Sequence, residues 1–181
     1  MDNGKISVRY ARALLNTANE LQCGKMVYEG MARLSENYNH ASTQFYEALS
    51  NPMINGEEKF QLLLTATGDP VHPCLQNFFR FLIEKKRENK IQLIALQYQE
   101  MYRAENHLLR ADVTTAVAPD EKTLRHIREF VENTFHCEAE IHLKVNPALI
   151  GGFTLDIEHE RLDASIAGRL QHLKEQLNIE N

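Results

Sequence analysis

The spacing of apolar residues changes once along this chain, and that change constrains the fold more than any other feature. Up to about residue 105 apolar side chains recur at steps of three and four, and from Leu108 they alternate. The first spacing lines one face of a helix and the second lines one face of a strand. Ile6, Tyr10, Ala13, Leu14, Thr17 and Leu21 make the first helical stripe, which Gly24 is expected to stop. Met31, Leu34 and Tyr38 mark a helix over 26–38, and Phe45 and Leu49 a shorter one that ends before Asn51-Pro52. Asn55 stands where a fourth helix needs a cap, with Phe60, Leu63 and Leu64 as its apolar residues and Gly68-Asp69-Pro70 as its stop. Pro73 suits the first turn of a fifth helix carrying Leu75, Phe78, Phe79, Leu82 and Ile83. The sixth carries Ile91, Ile94, Ala95, Tyr98, Met101 and Tyr102.

In the second half, Leu109, Ala111, Val113, Thr115 and Val117 alternate with polar residues, and Pro119-Asp120 then opens a helix with Leu124, Ile127, Val131 and Phe135 on one face. Ala139, Ile141, Leu143 and Val145 are expected to face one side of a second strand that Asn146-Pro147 closes. Gly151-Gly152 precedes a third strand with Phe153, Leu155 and Ile157 inward. After a polar turn, Asp163 is expected to cap a last helix carrying Ile166, Leu170, Leu173 and Leu177. The pattern predicts an α+β chain: an N-terminal six-helix bundle over 1–105, then a small two-layer α/β domain over 106–181 in the order strand-helix-strand-strand-helix.

Charge and cysteine usage narrow the functional classes. Residues 1–105 carry 12 basic and 12 acidic side chains and residues 106–181 carry 8 and 13, so no stretch has the basic excess of a nucleic-acid footprint. The run Lys85-Lys86-Arg87 reads as a solvated helix end. No apolar run reaches the ~20 residues that cross a bilayer, and neither a secretory signal nor a transit peptide is evident, which predicts a bacterial cytoplasmic protein. Cys23, Cys74 and Cys137 are far apart and odd in number, which argues against a disulfide framework.

Residues with chemical potential read mostly as structural. His159-Glu160-Arg161-Leu162-Asp163 misses the HExxH zinc pattern, with Asp where the second His belongs, and it falls in a strand-to-helix turn rather than on a helix. His136, Cys137, Glu138, Glu140 and His142 include ligand-type side chains, yet Glu138, Glu140 and His142 form the solvated face of a strand. Gly151-Gly152 precedes a strand, whereas phosphate-cradling amides lie where a strand gives way to a helix. The expectation is therefore no catalytic residue, no metal and no cofactor. The competing enzyme class is a metal-dependent hydrolase around His136, His142 and His159, and a third reading is a generic two-domain adaptor.

The run Leu149-Ile150-Gly151-Gly152-Phe153-Thr154-Leu155-Asp156-Ile157, followed by Leu162-Asp163-Ala164-Ser165-Ile166 and Gly168-Arg169-Leu170, resembles the C-terminal signature of the delta subunit of F-type ATP synthases. The mitochondrial relative is the oligomycin-sensitivity-conferring protein. Arg9-Tyr10-Ala11-Arg12-Ala13-Leu14 is similar to the first helix of that family and Asn77 to Leu93 to its fifth and sixth helices. The family usually has Gly where this chain has Glu158-His159, and Gly between Asp and Ser where it has Ala164. The resemblance implies a non-catalytic stator joint in the peripheral stalk of a proton-translocating ATP synthase. It implies a first- and fifth-helix groove, with Tyr10, Ala13, Leu14, Phe78 and Phe81 in it and Arg12 at its rim, for the N-terminal helix of an alpha subunit. The C-terminal domain would hold the C-terminal region of the b-subunit stalk. There Gly151, Gly152, Asp163, Ser165 and Gly168 match the motif and are assigned first to fold and second to stalk contact. Location would be peripheral, on the cytoplasmic face of the bacterial inner membrane and only through the complex.

Overall fold

A computed structural model describes residues 3–40, 42–149, 151–157 and 160–163. The helix expected beyond Asp163, the Glu158-His159 turn, Ser165 and Gly168 lie outside the described residues. The chain divides into two compact units, Met1–Ala104 and Glu105–Asn181.

The first unit holds six α-helices: α1 (Asn3–Glu20), α2 (Gly24–His40), α3 (Ser42–Ser50), α4 (Gly56–Thr67), α5 (Pro73–Glu84) and α6 (Ile91–Glu105), with a 3-10 turn at Glu88–Lys90 before α6. Their stripes converge on a core that includes Val27, Met31, Leu34, Leu49, Leu63, Leu75, Phe79, Leu82, Ile94 and Tyr98, all buried. The helix ends follow from local chemistry. The Asn55 side chain accepts from the Glu58 amide at 2.8 Å, filling the orphan donors at the start of α4. Gly68, with φ of +75°, ends that helix by donating to the Leu64 carbonyl at 3.0 Å. Gly24 departs from expectation. It is the first residue of α2 rather than the stop of α1, and the reversal is made by Gln22 at φ +52°, with the Cys23 amide reaching back to Ala18 at 2.8 Å. A charged pair lies inside this unit: Lys59 Nζ is 2.7 Å from Glu88 Oε1, with side-chain exposures of 9% and 11%.

The second unit is built on β1 (Leu108–Thr115), α7 (Glu121–Phe135), β2 (Glu138–Val145), β3 (Phe153–Ile157) and β4 (Glu160–Asp163). The sheet order is β2-β1-β3-β4, with β1 parallel to β2 and antiparallel to β3, and β3 antiparallel to β4. The parallel pair is joined by α7, as parallel neighbours require a crossover. Leu109, Ala111, Val113, Ala139, Leu155 and Ile157 pack with Ile127 and Val131 of α7 in one core. The opposite face is polar. Arg110 Nε and Nη2 both donate to Asp112, each at 3.0 Å. Burial raises the Asp112 carboxyl, but these bonds and the charges of Arg110, Lys144 and His142 outweigh it and hold the group below its ordinary value.

Two expectations are corrected here. The polar turn after β3 contains a fourth strand, so Asp163 is a strand residue opposite Thr154; a four-residue strand with no alternating stripe leaves little sequence signal. Val117 lies past the end of β1 and is 76% exposed. Leu143 and Val145 share the strand face of Ala139, as their alternation predicts, and are 42% and 54% exposed there with β2 at the sheet edge.

Candidate functional site

The side of the helical unit formed by α1 and α5 carries a surface unlike an ordinary solvated helix pair. Tyr10 on α1 and Phe81 on α5 meet with ring centroids 6.0 Å apart at 41°. Phe81 remains 43% exposed, and Tyr10 is half-buried. Two cations flank the rings: Arg9 Cζ lies 5.7 Å from the Tyr10 centroid and Lys85 Nζ 5.6 Å from that of Phe81. Arg12 and Ala13 are exposed on α1. The small Ala13 side chain leaves room on the same helix as the bulky Tyr10.

Leu14 and Phe78 occupy a different layer. They are 2% and 9% exposed, so they belong to the buried core of the unit and not to its outer surface. The six residues expected at the groove are thus divided between a surface set, Tyr10, Arg12, Ala13 and Phe81, and a supporting set, Leu14 and Phe78. The sequence places Arg9 in the first-helix match and Lys85 at a solvated helix end, and neither at the groove; four-residue spacing on a helix links Lys85 to Phe81, whereas adjacent positions such as Arg9 and Tyr10 give no such signal.

Of the expected C-terminal positions, Gly151, Gly152 and Asp163 are described, and Asp163 pairs with Thr154, two residues beyond Gly152. Gly152 has φ of +82°, where a side chain is strained, and turns the chain into β3. Gly151 is half-buried beside it. Asp163 lines a cleft of about 430 Å³ whose walls include Phe130, Phe135, Leu155 and Leu162.

The hydrolase reading finds no assembled chemistry among the described residues. His136 ends α7 in the left-handed region, His142 lies 3.4 Å from Glu140 on β2, and His159 is outside the described residues. No group of three or more His, Cys, Asp or Glu side chains among the described residues stands together to hold a metal. Cys23 and Cys74 are buried. Burial pushes the Cys74 thiol up to about 11, helped by the neighbouring Cys23 thiol, which leaves it protonated and poorly nucleophilic at neutral pH. No helix among the described residues is long and apolar enough to cross a membrane.

A family model described as ATP synthase delta (OSCP) subunit matches residues 6–177. The ATP synthase subunit delta of Bacteroides fragilis is 34% identical over 184 residues, covering 100% of this chain and 98% of that protein. That of Parabacteroides distasonis is 35% identical over 174 residues, covering 96% of each. The fold is also similar to a chain in the cryo-EM structure of the Toxoplasma gondii mitochondrial ATP synthase hexamer, with a TM-score of 0.65 at 21% identity over 94% of this chain and 96% of that one.

Proposed function

The chain belongs to the ATP synthase delta (OSCP) subunit family, whose members are structural stalk subunits without catalytic sites of their own, and we propose that its α1–α5 surface docks the N-terminal helix of one alpha subunit. The six helices then act as one bundle on the catalytic head, and residues 106–181 hold the C-terminal region of the b subunit. The joint sits on the cytoplasmic face of the membrane, attached through the complex alone. Its task is mechanical. The head must not turn with the rotor, so each interface must transmit torque and dissociate slowly.

The observation that carries this reading is the Tyr10–Phe81 pair, an aromatic surface left partly open and rimmed by cations, on two helices whose Leu14 and Phe78 are buried in the core. An amphipathic helix meets such a groove through apolar residues at i, i+3, i+4 and i+7, which interlock with the aromatic relief and resist sliding. Aromatic anchors with a cationic rim suit a partner helix that carries apolar residues on one face and carboxylates beside them.

The test is Ala13→Arg in the full chain. Ala13 is exposed, so the substitution leaves the core intact while adding bulk and charge to the groove. Binding of the alpha-subunit N-terminal peptide should be lost while cooperative melting is kept, and binding equal to that of the unmodified chain would overturn the groove assignment.

A further inference from the structure

The α1–α5 side of the first unit is charged unevenly from one end to the other. Ile6, Tyr10, Ala13 and Thr17 follow one another on α1 at steps of four and three, and the Thr17 hydroxyl is already satisfied by donating to the Ala13 carbonyl at 3.0 Å. Beside this stripe runs a second, Lys5, Arg9, Arg12, Asn16 and Glu20, at the same helical steps and exposed throughout. Its formal charges read plus, plus, plus, zero, minus, and Glu20 is the first acidic side chain of α1. On α5 and its cap, the exposed positions one turn before and one turn after Phe81 are Asn77, uncharged, and Lys85.

The two helices run antiparallel. Tyr10 meets Phe81, and the thiols of Cys23, just past the end of α1, and Cys74, at the start of α5, are hydrogen-bonded to each other. Rising numbers on α1 are therefore met by falling numbers on α5, which brings Lys85 to the Lys5–Arg9 end and Asn77 toward the Thr17 end. Both banks are basic at one end, where Arg9 Cζ and Lys85 Nζ approach the rings to 5.7 and 5.6 Å, and uncharged or acidic at the other.

Distance decides whether a bound helix senses this. Lys5 and Glu20 are about 22 Å apart along the axis, at 1.5 Å per residue, against a screening length of about 8 Å at physiological ionic strength. The two ends therefore act on separate parts of a partner and do not blur into one average potential. Glu84 lies 2.7 Å from Lys85, but both side chains of that pair are exposed, so the contact contributes little and a partner's carboxylate can displace it.

The geometry points to a directional groove: it takes an amphipathic helix of about four turns whose carboxylates flank its apolar stripe at one end only, with that acidic end over Arg9 and Lys85 and its uncharged end over Thr17 and Asn77. This rests on the reading of the α1–α5 surface as the seat of the alpha-subunit helix, and it gives that helix one direction and one register. Apolar anchors at i, i+3, i+4 and i+7 leave both open, since a stripe slid by a turn or reversed end for end presents a similar pattern. Repulsion between Glu20 and a carboxylate placed at the wrong end supplies the discrimination.

The experiment uses the full chain and the alpha N-terminal peptide of the same complex. Calorimetry compares the unmodified chain with Arg9→Glu/Lys85→Glu and, at the other end, with Asn77→Glu; all three positions are exposed, and cooperative melting checks that each variant folds. The double reversal should weaken binding by about tenfold or more and remove most of its salt dependence, whereas Asn77→Glu should change it by less than about threefold. A nitroxide on the acidic end of the peptide should broaden the amide NMR signals of Ile6 and Lys85, and one on the opposite end those of Thr17 and Asn77. Equal losses from the two variants, or broadening at the Thr17 end by the acidic-end label, would overturn the direction while leaving the groove, which Ala13→Arg reports separately. An alpha peptide with carboxylates spread evenly along it would also overturn the direction. No binding by the unmodified chain would overturn both readings.

Discussion

Phe79 and Phe81 stand two residues apart on α5 and should separate folding from binding. Phe79 is 0% exposed in the core, whereas Phe81 is 43% exposed beside Tyr10. Removing a fully buried ring leaves a cavity and costs about 3–5 kcal/mol. Removing Phe81 forfeits the tilted ring pair, about 0.5–1.5 kcal/mol, and the burial of roughly half a side chain, for a total of about 1.3–3 kcal/mol. As an anchor in a helix-binding groove, however, it should contribute about 2 kcal/mol or more to association, roughly thirtyfold in affinity. The assay pairs thermal melting of Phe79→Ala and Phe81→Ala with calorimetric titration of each by the alpha N-terminal peptide. Phe79→Ala should melt far lower, and at a temperature where it is still folded it should bind with affinity near that of the unmodified chain. Phe81→Ala should melt lower by about 5–24 °C, less than Phe79→Ala, and bind far more weakly. Equal destabilisation by both, or unchanged binding by Phe81→Ala, would refute the division of α5 into a core face and a docking face.

Lys59→Met should cost about 3–5 kcal/mol by stranding the buried Glu88 carboxylate, while Lys59→Met/Glu88→Leu should recover most of that loss; urea unfolding measures both, and simple additivity would contradict the account. The carboxyl of Asp112 is held below its ordinary value, so it stabilises the folded state at pH above the unfolded carboxylate value, near ~3.9, and that contribution is lost as pH falls through the lower folded value. Asp112→Asn should therefore be less stable than the unmodified chain at neutral pH, with the gap closing on acidification; a gap constant with pH would contradict the Arg110–Asp112 pairing as its cause. Gly30→Val should cost about 1–3 kcal/mol by overpacking, since a Cβ at Gly30 would lie 2.8 Å from Leu75 Cδ2 and 3.2 Å from Thr67 Cγ2; an unchanged melting temperature would mean that α2 moves aside without cost.

Elements whose residues announce them locally were legible in the sequence. Asn55 and Asp120 are short polar acceptors ahead of apolar stripes, and both cap helices, Asp120 by accepting from the Thr123 amide at 2.9 Å. The alternation of Leu109, Ala111 and Val113 identified β1 because its buried face differs sharply from its polar one. The helix boundary at Gly24 was misread because Gln22, an ordinary residue, takes the left-handed conformation that glycine usually supplies. Strand β4 was missed because Glu-Arg-Leu-Asp has no stripe, and its pairing with β3 is a tertiary fact. At the candidate groove, helical spacing grouped Tyr10 with Leu14, and Phe78 with Phe81, yet spacing alone does not say which member faces inward. That depends on where α2 and the rest of the core lie. The pairing of Lys59 with Glu88, 29 residues apart, likewise exists only through the fold.

The most direct test of the stator account is a calorimetric titration of the full chain with a peptide of the alpha subunit's first ~20 residues, a length that supplies several helical turns of anchors, repeated at several temperatures. The account predicts saturable one-to-one binding with a negative heat-capacity change, the signature of apolar surface leaving water. Absence of binding by a chain that still melts cooperatively would contradict it.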